Sequence, residues 1–183
     1  MQNKVIIAAI WITRITIGFV LLTFAAILGF VIYWHINPEY FDNWYLLNPF
    51  KPGSASFNFQ RSNTAVGMTF NDLGSTNVYW MMIRTTLFSA IVLFAQRLIL
   101  KVLYSVGSTA TFYVENIRYF KRLAMTGIVF SLVSFFNFGI IDGQWQFFLS
   151  IPFVPLLFAT ACYVMAEIFK EGNRLQEDSN SII

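Results

Sequence analysis

The sequence predicts an all-α integral membrane protein, a four-transmembrane-helix bundle with a small outer loop region, and three observations carry that prediction. Four apolar blocks recur along the chain, at about 15–34, 79–100, 123–138 and 147–169, and a helix of roughly 20 apolar residues crosses about 30 Å of hydrocarbon. Hydrophobic residues make up 57% of the chain and charged residues only 11%, where a soluble domain carries roughly 25% charge. The cations are also unevenly spread. Nine of the 12 (Lys4, Arg14, Arg97, Lys101, Arg118, Lys121, Arg122, Lys170, Arg174) fall on one side of the four blocks, Lys51 and Arg61 fall on the other, and Arg84 lies within the second block. The excess of Lys and Arg marks the cytoplasmic side, so both termini are expected in the cytoplasm, with residues 1–183 forming a single membrane domain.

The first block is preceded by Val5 to Thr13, apolar but cut from it by Arg14. That stretch is expected either to lie along the inner interface or to lengthen a tilted helix. It reads as an anchor rather than a cleaved signal peptide, because the apolar run continues past an h-region of about 7 to 15 residues. Tyr33, Trp34 and His35 close the block as an aromatic belt at the headgroup level.

Residues 36–77 form an outer loop rich in aromatic side chains. Asn37, Pro38 and Glu39 have the order of N-cap, N1 and first-turn acid, which predicts a short interfacial helix to about Leu47. Ser56 to Gln60 and Ala65 to Asn71 alternate polar and apolar residues and predict a small β-hairpin turning through Ser62 to Thr64. The loop is expected to act as a lid over the helix ends or as a ligand-sensing or partner-binding cap on the outer face.

In the second block, Arg84 is expected to snorkel outward to Asp72 or Asp142, since an unpaired charge within a span costs several kcal/mol. In the fourth block, Glu167 is expected to pair with Arg14 or Arg97 near the inner face. Pro152 and Pro155 predict a bent or loosened first half of that helix. The inner loop spans 101–122 and the cytoplasmic tail 170–183. Gly172 is expected to end the fourth helix and turn the tail back beneath the bundle.

Catalytic chemistry finds little to stand on. The chain has one His and one Cys, too few for a histidine or cysteine metal site, and no G-x-x-x-x-G-K-[ST], G-x-G-x-x-G or H-E-x-x-H motif. No enzymatic activity and no cofactor are expected. The net charge of +3 is accounted for by cations that membrane insertion itself places inside, so direct nucleic-acid binding is not expected.

The inner segments carry a resemblance. Residues 111–124, T-F-Y-V-E-N-I-R-Y-F-K-R-L-A, resemble the cytoplasmic-loop motif of an uncharacterised family of bacterial four-span membrane proteins, domain of unknown function 2975. That motif runs roughly P-F-x-x-E-N before a basic and apolar stretch and a Gly. Phe112, Glu115, Asn116, Arg118 and Arg122 fit it, while Thr111 and Ala124 stand where the family has Pro and Gly. The tail resembles the family's I-F-x-x-G-x-x-L-x-E closing pattern at Ile168, Phe169, Gly172, Leu175 and Glu177. Family members are often encoded beside a small helix-turn-helix regulator, so the resemblance implies a membrane partner of a transcription factor. Glu115, Asn116, Arg118, Lys121, Arg122, Gly172, Leu175 and Glu177 are then the expected docking residues. The basic face has two expected uses, anchoring on anionic lipid and docking a regulator. Two functions from different classes follow: a regulatory or interaction protein, or a small transport or permeability subunit with Arg84 and Glu167 along a polar path.

Overall fold

The computed structural model describes residues 4–41, 44–46, 59–61, 74–107, 114–141 and 144–181. Helix α1 runs Lys4–Ile36, α2 Gly74–Gly107, α3 Val114–Phe135 and α4 Phe153–Ser181. Among the described residues four short strands accompany them: β1 Trp44–Leu46, β2 Phe59–Arg61, β3 Phe136–Ile141 and β4 Gln144–Leu149. Among the described residues, three helices are long and apolar enough to cross a membrane: Lys4–Ile36, Ser75–Gly107 and Phe153–Ser179. The chain is thus compatible with a multi-pass membrane protein.

The expected all-α, four-span architecture is corrected. Helix α3 places Glu115, Arg118, Lys121 and Arg122 in its first turns. From Leu123 to Phe135 it retains about 13 apolar-rich residues, or about 20 Å of helix, short of the roughly 30 Å of hydrocarbon. Residues 136–138, expected to complete that span, instead open β3, which pairs antiparallel with β4 in a register from Phe136↔Leu149 to Ile141↔Gln144. That register leaves Asp142 and Gly143 between the strands, and Asp-Gly flanked by apolar and aromatic residues is a strong hairpin signal. Residues 147–149, expected to begin the fourth span, belong to β4.

The prolines take a different part from the one expected. Pro152 immediately precedes α4 and Pro155 lies in its first turn, where a missing N–H leaves no intrahelical bond unmade. They start the helix rather than bend it. The question left open at Val5 to Thr13 resolves as one continuous α1 of 33 residues, about 50 Å long. Gly172 does not end α4, which continues to Ser181; the expected turn beneath the bundle is replaced by a continued helix.

The chain divides into two units. The first comprises Met1–Leu21, Ser89–Val133 and Pro152–Ile183, the second Leu22–Phe88 and Ser134–Ile151. The first unit has a core of Leu98, Leu123, Ala124 and Cys162, with Ala95, Ile99, Tyr119 and Phe120 against it. Small residues line the α3–α4 contact. Ala124, Gly127 and Ser131 are buried on α3, and Ala159, Cys162 and Ala166 on α4, the composition that lets helices approach closely where lipid supplies no hydrophobic driving force.

In the second unit the expected interfacial helix shrinks to one 3-10 turn, Pro38–Phe41. Phe41 is 1% exposed, its ring edge-on to Phe30 at 5.2 Å and to Tyr33 at 5.9 Å. Phe41 closes this turn packed against the end of α1. Beyond it β1 pairs with β2, Trp44↔Arg61 to Leu46↔Phe59. The expected hairpin partner, Ala65 to Asn71, lies outside the described residues, as does the proposed turn at Ser62 to Thr64.

Candidate functional site

Charge gathers at one end of the first unit because the beginnings of α1 and α3, the end of α2 and the later part of α4 meet there. Near the start of α1, Arg14 donates to the Tyr104 hydroxyl close to the end of α2, N to O 2.6 Å. Three residues before Tyr104, the Lys101 ammonium sits 5.5 Å from the centre of the Tyr119 ring on α3. Tyr119 in turn donates to Glu115 one turn back, at 3.3 Å. Lys121 on α3 reaches Glu167 on α4 at 3.9 Å, and the rings of Phe120 and Phe169 lie 5.0 Å apart at the same level. The beginning of α1, the end of α2, the beginning of α3 and the later part of α4 therefore share one end of this unit.

Glu167 was expected to meet Arg14 or Arg97. It meets Lys121 and, one turn along its own helix, Lys170 at 3.3 Å. The reason is register. Helix α4 packs on α3 through its small residues, which aims Glu167 at Lys121, while Arg14 is occupied by Tyr104 and lies 5.8 Å from the Trp11 ring. Arg97 is exposed and has no acidic partner among the described residues.

The expected docking residues divide in two. Glu115, Arg118, Lys121 and Arg122 are exposed on α3, but Asn116 has 0% exposure and packs inside, so it serves the fold rather than a surface. On α4 the extension carries Arg174 paired with Glu171 at 2.8 Å and Asn173 donating to Glu177 at 2.7 Å. Such i, i+3 and i, i+4 pairs support an exposed helix, which explains why Gly172, half-buried in its middle, does not break it. Leu175 is 59% exposed on this otherwise polar segment.

In the second unit, the guanidinium carbon of Arg84 lies 5.1 Å from the centre of the Phe88 ring. Its Nε is buried without a hydrogen-bond partner among the described residues. Asp72 and Asp142, the expected partners, lie outside those residues. Among the described residues no group of three His, Cys, Asp or Glu side chains could hold a metal ion.

Sequence reasoning missed Tyr104 and Tyr119, which link α1 to α2 and α2 to α3. The available signal was their placement one or two turns from the basic residues of neighbouring segments, where a phenol can meet a cation by hydrogen bond or by ring face. No family model, curated protein or solved structure matches this chain.

Proposed function

We propose that this is a non-enzymatic regulatory or interaction protein of a bacterial inner membrane, with both termini in the cytoplasm, whose charged end docks a cytoplasmic protein. The observation that carries the reading is the continuation of α4 to Ser181 with Leu175 exposed among Lys170, Glu171, Arg174 and Glu177. A helix leaving the apolar region with one large apolar side chain on a polar surface offers an anchor for a partner's groove. The exposed cations Arg118 and Arg122 on α3 supply charge nearby within the same unit. The bias of Lys and Arg toward this end supports its cytoplasmic orientation.

The family resemblance, carried by the inner loop and the tail, implies a small helix-turn-helix regulator as the partner class. Against the transport alternative stands the setting of Glu167, whose side chain is 42% exposed and held by two lysines rather than set in a polar path.

Co-purification in mild detergent tests the proposal. The full chain should retain a cytoplasmic protein that is lost with Leu175→Asp and with deletion of residues 176–183, while both variants still insert. Retention of every partner by both variants would overturn it.

A further inference from the structure

Between α2 and α3 of the first unit runs an open groove of about 520 Å³. Ala90, Ile91 and Phe94 form one wall, and Met125, Thr126 and Val129 form the other. Thr126 contributes its methyl group, because its hydroxyl donates to the Arg122 carbonyl at 2.7 Å. The single charged residue in the lining is Arg122, one turn before Met125 and Thr126 on α3.

A second arginine stands at the same level. Leu98 packs with Leu123 and Ala124, and Phe94 lies across the groove from Met125 and Thr126, so Arg97, next to Leu98, and Arg122, next to Leu123, belong to facing turns of the two helices. Ala90, Phe94 and Arg97 follow one another at helical spacings of four and three, so Arg97 continues the α2 wall of the groove. Both arginines are exposed, and neither has an acidic partner among the described residues. Lys121, by contrast, is held by Glu167.

We propose that this groove binds an anionic phospholipid, its phosphate between Arg97 and Arg122 and one acyl chain along Phe94, Met125, Ala90 and Val129. The chemistry matches the order of the lining: cations at one end, then two helical turns of hydrocarbon. From Arg122 to Val129 the wall covers about 10 Å of helix rise, the upper part of an acyl chain. Arginine suits the phosphate because its planar fork donates two parallel hydrogen bonds, and basic pockets between membrane helices bind lipid headgroups in this way. The volume lies within the roughly 300–1,000 Å³ of small-molecule sites. This inference requires only that the helices are membrane-embedded; it does not depend on protein docking at Leu175.

The test is thermal unfolding of the full chain in uncharged detergent micelles, titrated with phosphatidylglycerol, phosphatidylcholine or inorganic phosphate. Phosphatidylglycerol should raise the midpoint in a saturable way, with phosphatidylcholine at least tenfold weaker and inorganic phosphate without effect. The pair R97Q and R122Q, both on exposed side chains whose replacement rarely disturbs folding, should weaken the phosphatidylglycerol response at least tenfold. A90F, which fills the groove and leaves the arginines in place, should do the same, whereas R174Q should not. An equal response to phosphatidylcholine, or an undiminished response in R97Q/R122Q, would overturn the proposal. So would an equal response to inorganic phosphate, which marks a bare anion site.

Discussion

Gly127 on α3 faces Ala159 on α4 so closely that a Cβ built at position 127 would stand 3.0 Å from that of Ala159 and 3.1 Å from the Pro155 carbonyl oxygen. Neither neighbour is the end of a flexible side chain, so neither can swing aside. Gly127→Ala should therefore separate α3 from α4 and lower stability by about 1–3 kcal/mol, the cost of overpacking a close contact. Gly18 and Gly29 meet nothing within 4 Å, so Gly18→Ala is the matched control. Thermal unfolding in detergent checks this, and a G127A midpoint equal to that of G18A would refute it.

The Lys121–Glu167 pair should be worth little. Its side chains are 49% and 42% exposed, and exposed ion pairs contribute about 0.2–1 kcal/mol, less in high salt. A double-mutant cycle with Lys121→Met and Glu167→Gln should give a coupling in that range that shrinks as salt rises. A coupling several times larger and insensitive to salt would place the pair in a dry setting.

Cys162 is buried among Leu98, Leu123 and Ala124. Its thiol should react with a maleimide at least tenfold more slowly in detergent-folded protein than in the denatured chain. A cysteine introduced at exposed Lys170 in a Cys162→Ala background should react at the same rate in both states. Equal rates for Cys162 in the two states would mean that α4 is not packed on α3 as described.

Because the start of α1 and the later part of α4 share one end of the first unit, Lys4→Cys and Ser179→Cys, each in a Cys162→Ala background, should label together. With a membrane-impermeant reagent, both should react in inside-out vesicles and neither in intact spheroplasts. Labelling of the two from opposite sides would break the common end, and labelling of both only from outside would reverse the proposed orientation.

Membrane character was readable from composition because the bilayer imposes one constraint on everything that crosses it: backbone polar groups must be satisfied within the segment, over some 20 residues of low polarity. The third block met the hydropathy part of that rule and failed on length. Its basic start consumes helix that hydrocarbon cannot accept, and Asp142–Gly143 favours a hairpin where block counting expects two helix ends. Local apolarity does not distinguish a strand from a helix in a short run, so counting apolar blocks merged β3 and β4 with the spans, and only the Asp-Gly pair between them carried the hairpin signal.

Partner choice was beyond the reach of sequence. The chain determined that Glu167 and its cations lie near one level, since apolar block lengths fix depth along each helix. Which cation Glu167 meets depends on the rotation and register of helices packed through Gly127 and Ala159, quantities set by the fit of small residues many positions apart. The same packing turns Asn116 inward and leaves an open apolar groove between α2 and α3 with Arg122 in its lining. Each of these depends on tertiary packing because helical periodicity assigns a residue to a face, while only the neighbouring helix decides what that face meets.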